Sequence, residues 1–143
     1  MDALPEWPEG TVAVLSTGGS EPHAIPVSTA VRTGPRTVRF ALSHRRESLA
    51  RLREDPRCAL TILAAGDVAV TAIGRASIVD EHDRVAVIEV AVERIQDHNQ
   101  ETFVIDDGVR WRWTDSDAER GDEEVRNLLR ARPSPPQTRR ERP

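Results

Sequence analysis

Residues 40–61, FALSHRRESLARLREDPRCALT, decide how the rest of the chain is read. A β-like run, ending at Phe40 to Leu42, passes into a short arginine-laden helix expected over 46–54. Asp55-Pro56 then turns the chain into another strand. Leu49 and Leu52, three apart, can face a core, which leaves Arg51, Arg53 and Glu54 outward. The start of this helix is a candidate anion seat. Backbone N–H groups there lack intrahelical partners, and the macrodipole adds partial positive charge. Ser43, Arg45, Arg46 and Ser48 add hydroxyls and guanidinium groups at the same end. Cations are locally unfavourable at a helix start, so a cluster of them points to an anionic ligand. The competing reading makes Arg45 and Arg46 solvated charges paired with Glu47 or Glu54.

Outward from this stretch, the totals bound the answer. The 143 residues suit one domain with a modest core. With 38% hydrophobic and 31% charged residues, the chain reads as a globular protein. Aromatics are scarce, with no Tyr and two Phe, so Val, Ile, Leu and Ala must build the core. The net charge of -4 argues against general nucleic-acid binding. A single cysteine, Cys58, rules out an internal disulfide and a Cys-based zinc site, and is expected to be a small buried apolar residue. The opening MDALPEWPEG is acidic and proline-broken, unlike a signal peptide. No apolar run approaches the ~20 residues that cross a bilayer. A cytoplasmic protein with no membrane partner is expected.

In chain order, residues 1–8 form a lead-in, with Trp7 folding back onto a domain spanning 9–131. Thr11 to Thr17 is a strand, turned by Gly18-Gly19-Ser20. His23 to Arg32 is the second strand. Pro26 in its middle cannot donate a ladder hydrogen bond, which demands an edge or a bulge. Thr37 to Leu42 is the third, giving a three-stranded meander. After the helix come Arg57 to Ala64 and Val68 to Val79. Gly74 within the latter marks a bulge or a close approach. Val85 to Gln96 could be helical by composition, but its valines and isoleucines favour a strand. Thr102 to Ile105 and Val109 to Thr114 are expected to form a hairpin around Asp106-Asp107-Gly108. That hairpin would put Trp111 and Trp113 on one face. A final helix over about 117–131 can be capped by Asp115 or Ser116, with Val125, Leu128 and Leu129 inward. Residues 132–143 are Pro- and Arg-rich and expected to be disordered.

The expected fold is mainly β: a split antiparallel β-barrel of six or seven strands, with one short inserted helix and a C-terminal helix. Such barrels bind ligands at an open side or a dimer seam. The order of four features resembles the pyridoxamine 5'-phosphate oxidase-like family of FMN-binding split barrels. The first is the opening strand ending in a Gly/Ser turn. The second is the Pro-Val strand, His23 to Ser28. The third is Phe40 to Leu42, the basic Ser-bearing turn and the helix exit, Leu49 to Arg57. The last is Gly74-Arg75-Ala76 in the long strand. The resemblance spans about residues 8 to 115.

That resemblance implies a homodimer with FMN sites at its interface. It places the flavin phosphate by Ser43, Arg45, Arg46 and Ser48. It places the polar edge of the ring against backbone groups of Ile25, Pro26, Val27 and Ser28. Residues of a partner subunit would close the site, with Trp111 and Trp113 as candidates. Their competing reading is core packing. Many members carry Ser-x-Lys where this chain has Arg46-Glu47-Ser48, so Arg would replace Lys as the phosphate grip. Oxidases of vitamin B6 are longer and end in an Arg/His substrate segment absent here, which argues against that reaction. The resemblance therefore implies hydride or electron transfer between a flavin and a small organic substrate. The deazaflavin F420 is an alternative cofactor, and a non-catalytic flavin-binding module the rival function. The Arg-rich tail as a tether to an acidic partner is a third. No side chain is singled out as acid or base. Four scattered histidines, His23, His44, His82 and His98, show no metal-binding spacing. Gly18-Gly19 lacks the ending of a phosphate loop, and Asp80, Glu81 and Asp83 read as a solvated turn.

Overall fold

The protein is described by a computed structural model covering residues 1–131; the tail expected to be disordered, 132–143, lies outside the described residues. The elements, in order, are β1 (Ala13–Thr17), β2 (His23–Val27), β3 (Val31–Gly34), β4 (Thr37–Ser43), α1 (Glu47–Glu54), β5 (Arg57–Ala64), β6 (Val68–Glu81), β7 (Val85–Asp97) and α2 (Ser116–Arg130). The seven strands form one antiparallel sheet in the order β2-β1-β5-β6-β7-β4-β3. Its two edge strands, β2 and β3, are joined only by Ser28-Thr29-Ala30. So short a link forces the sheet to curl until its edges approach each other. The result is a mainly β, split barrel whose sheet does not close.

Period-two alternation turns one face of each strand inward. Leu15, Val38, Phe40, Leu60, Ile62, Val70, Ile88 and Val90 are fully buried there. Leu49 and Leu52 of α1 join them, as their spacing predicts, and Cys58 is buried too. Burial raises the Cys58 thiol to about 11. Gly74 is both a bulge and a close approach. The β6–β7 register shifts there, and a Cβ would lie 2.1 Å from the Ala91 carbonyl oxygen. The ambiguous run at 85–96 is strand, paired with β6 on one side and β4 on the other.

Three expectations are corrected. The run from His23 to Arg32 is two strands, because Ser28 to Ala30 must cross between the sheet edges. Thr29 Oγ1 accepts from the Ala41 amide at 3.1 Å, and the Ala30 carbonyl accepts from Trp7 Nε1 at 3.0 Å. Hence β2 and β3 do not pair, and the three-stranded meander is instead two separate hairpins, β1–β2 and β3–β4. The hairpin expected at 102–114 does not form. The strands it passes, β5 and β6, already have neighbours on both sides, so no ladder is open to it. Finally, Arg51 does not lie free. Its side chain is 14% exposed and donates to the Gly18 and Glu21 carbonyls at 3.0 Å, fastening α1 to the β1–β2 turn.

Helix α2 starts at Asp115, whose side chain accepts from the Asp117 amide at 2.9 Å. It packs on β3 and β4, with Leu129 fully buried and Val125 and Leu128 partly so. Glu9 reaches it from the other side, accepting from Arg130 through both carboxylate oxygens at 2.7 Å. None of the helices described is long and apolar enough to cross a membrane.

Candidate functional site

The turn from β4 into α1 collects positive charge that nothing nearby neutralises. Arg46 is the N-cap of α1, in an extended conformation, with no side-chain cap over the first helical N–H groups. The positive end of the helix is therefore open. Glu47, one expected partner for the arginines, is taken by Arg51 at 2.8 Å, which holds its carboxyl below the usual carboxylate range. Arg53 pairs with Glu81 at 3.3 Å, and Arg57 with Asp55 at 2.8 Å. The Arg57 hydrogen bond draws Asp55 down to about 2. Arg45 and Arg46 are exposed and, among the described residues, have no acidic partner. The reading that paired them with Glu47 or Glu54 is not what the structure shows.

The two hydroxyls of this turn differ. Ser43 Oγ accepts from the Arg45 amide at 3.3 Å, shaping the turn. Ser48 points inward, 1% exposed, and its buried hydroxyl has no hydrogen-bond partner. An orphaned hydroxyl in a helix first turn marks a place where a donor or acceptor is missing.

Strand β2 runs beside this turn. At one end His23 Nε2 lies 3.9 Å from the Glu47 carboxylate; past the other end Thr29 holds Ala41, two residues before Ser43. Pro26 is exposed and opposite Val14, on an edge strand as its missing N–H requires. Ile25 and Ser28 are half-buried and Val27 is buried. The structure thus puts the start of β2 by the first residue of α1, and the link after β2 by β4. Within one chain Trp111 lies apart from this turn. Its Nε1 donates to the Gly10 carbonyl at 2.9 Å, ahead of β1, while α1 is fastened past the opposite end of β1 at Gly18. Trp111 and Trp113 are 36% and 39% exposed, so core packing is not their role.

A further feature escaped the sequence reading. The outward face of β2, β1, β5 and β6 carries an apolar and hydroxyl patch of Pro26, Val14, Thr61, Leu63, Thr71 and Ile73, in register, bounded at one end by the pair Arg57 and Arg75. Thr71 Oγ1 lies within hydrogen-bond distance of Thr61 Oγ1 (3.0 Å) and His98 Nε2 (2.8 Å) across it. Its signal was present in TILAA and VAVTAI, where neither alternating set holds a charge. Among the described residues no group of His, Cys, Asp or Glu side chains is placed to hold a metal.

No protein-family model and no curated protein matches the sequence. Solved structures do match the fold. A putative pyridoxamine 5'-phosphate oxidase from Listeria innocua aligns with TM-score 0.53 at 18% identity, over 63% of this chain and 90% of that one. Another, from Lactobacillus delbrueckii, aligns with TM-score 0.57 at 14% identity, over 67% and 95%. BorF, the flavin reductase component of a bacterial two-component tryptophan halogenase, aligns with TM-score 0.56 at 12% identity, over 64% and 81%.

Proposed function

We propose that this chain, which has the fold of the pyridoxamine 5'-phosphate oxidase-like proteins, is a flavin-binding oxidoreductase-like protein that takes FMN along the split between β2 and the α1 turn. The observation that carries this reading is the pair Arg45 and Arg46, without acidic partners at an uncapped helix start. A phosphate is the natural complement of that arrangement, since guanidinium grips it bidentately and the open N–H groups add to it. Outward rotation of Ser48 would give its orphaned hydroxyl a partner in the same phosphate. The free edge of β2, from Ile25 to Ser28, offers backbone groups to the polar rim of the ring.

The flavin supplies hydride or electron transfer when bound. The chain's residues bind and orient it, and a small organic substrate exchanges electrons with it. F420 presents a similar anionic tail and is the alternative cofactor. We assign the homodimer contact to the apolar and hydroxyl patch on the outward face of β2, β1, β5 and β6, beyond which Arg57 and Arg75 stand at one end. An extended sheet face with Val14 40% and Leu63 49% exposed fits burial against a second copy.

Titration of the apo-protein with FMN and with F420 tests the proposal. FMN is expected to bind at micromolar concentration or tighter, and NAD(P)H to reduce the bound flavin. Replacing Arg45 and Arg46 together by Ala should weaken binding by about 2–4 kcal/mol, from two lost charge-assisted contacts. Unchanged affinity in that double variant would remove the phosphate site from the α1 turn. Failure of both cofactors to bind would sink the redox reading, and binding of F420 alone would move the protein to deazaflavin chemistry.

A further inference from the structure

We infer that a second site lies at the far end of β1 from α1: a cleft that binds a planar aromatic anion, in chemical class an aryl carboxylate. It stands on the cleft alone and not on the flavin reading. The cleft has a volume of about 500 Å³ and is bounded by Gly10-Thr11, Ala64-Ala65 and the segment from Asp107 to Trp113, with α2 on one side. That size suits a small organic ligand.

Two of the chain's three tryptophans stand in it, with centroids 5.3 Å apart and planes at 83°. Each leaves more than a third of its surface in water. Two indoles side by side and partly in water offer a stacking surface for a flat ligand. The Trp111 ring is already oriented, because its Nε1 donates to the Gly10 carbonyl. A ring held before the ligand arrives loses little freedom on binding. The floor is backbone and small residues. Gly10 has φ +85°, and a Cβ there would sit 3.3 Å from Arg126 Nη2. A Cβ on Gly108 would sit 2.8 Å from the Leu63 carbonyl oxygen. Both glycines keep the walls close to the protein and the space between them clear.

The charges select an anion. Arg126, 6.0 Å from the Trp111 ring centroid, is committed to Asp122 at 2.8 Å and Glu9 at 3.6 Å. Arg110 reaches Asp107 at 3.9 Å. Arg112 lines the cleft and has no acidic partner among the described residues. Glu119, the remaining acid of the lining, stands in the first turn of α2, where the helix dipole accommodates it. An arginine without an acidic partner, in the same lining as two indoles, is matched by a flat ring carrying a carboxylate.

Calorimetric titration of the full chain tests this with three probes of one shape: 1-naphthoate, 1-naphthalenemethanol and 1-naphthylmethylamine. The naphthoate should bind at least tenfold more tightly than the alcohol, and the amine most weakly. Arg112→Gln should abolish the preference for naphthoate over the alcohol, while Trp113→Ala should weaken both at least tenfold. Arg45→Ala with Arg46→Ala should leave naphthoate binding unchanged. Equal binding of the three probes, no binding, or an Arg112→Gln variant that keeps the preference would overturn the inference. So would displacement of naphthoate by stoichiometric FMN, which would make the cleft part of the cofactor seat.

Discussion

The β6–β7 hairpin and the segment from 99 to 113 are made of similar material and end up unlike each other. Both contain β-branched residues around a turn-forming stretch, and the segment adds Phe103, Trp111 and Trp113. In the hairpin, register runs from Val70 opposite Asp97 to Glu81 opposite Ala86, and β5 and β4 flank it on either side. In the segment there is no ladder at all. Its anchors are single contacts: the Ile105 amide to Asp67 Oδ1 at 2.8 Å, Asn99 Nδ2 to the Asp67 carbonyl, and Trp111 to Gly10. The comparison teaches that β-propensity is a demand for a neighbour. Where every nearby strand already has two, the same residue types become a strap over the surface.

Four substitutions probe that contrast. In the hairpin, Gly74→Ala drives a Cβ to 2.1 Å from a backbone oxygen in a paired strand. The loss expected in urea unfolding is about 4 kcal/mol or more, because neither strand can give way. In the strap, Gly108→Ala meets the Leu63 carbonyl oxygen at 2.8 Å, but only one loop has to move. A loss of about 1–2 kcal/mol is expected by the same measurement. A cost equal to that of Gly74→Ala would mean that the strap is as integral as the hairpin. The smallest effect belongs to Val104→Ser and Val109→Ser, at side chains 69% and 65% exposed. Stability should change by no more than about 0.5 kcal/mol, and solubility should rise.

Most of the barrel was legible because its signals were local. The alternation of β5, the Leu49–Leu52 pair, Pro26 on an edge and Gly74 at a bulge each reflect a rule that acts within a few residues. What the sequence hid was long-range. Nothing in VSTAVR says that the strand must break at Ser28 to reach the other sheet edge. Likewise, nothing in VRWRWT says that all nearby ladders are already taken. The α1 turn was legible as a cationic helix start. That Glu47 turns to Arg51, leaving Arg45 and Arg46 alone, is a matter of packing against Gly18 and Glu21. The inward turn of Ser48 and the joining of the β1, β2, β5 and β6 residues into one outer patch also emerge only once the sheet is assembled.

The sheet order also fixes a sequence of assembly in time. Strands β5, β6 and β7 are consecutive and pair with one another, so residues 57–97 can collapse with short loops. The two earlier hairpins, β1–β2 and β3–β4, are docked on opposite flanks of that unit, β1 on β5 and β4 on β7. Made from its N-terminus, the chain therefore displays both hairpins before the surface that shelters them exists. As a kinetic hypothesis, pulse-labelled hydrogen exchange during refolding should protect amides of β5 to β7 before those of β1 to β4; the reverse order would refute it. Until β7 is complete, the first 43 residues are an unsheltered pair of hairpins, and a chaperone waiting for this protein would meet them first.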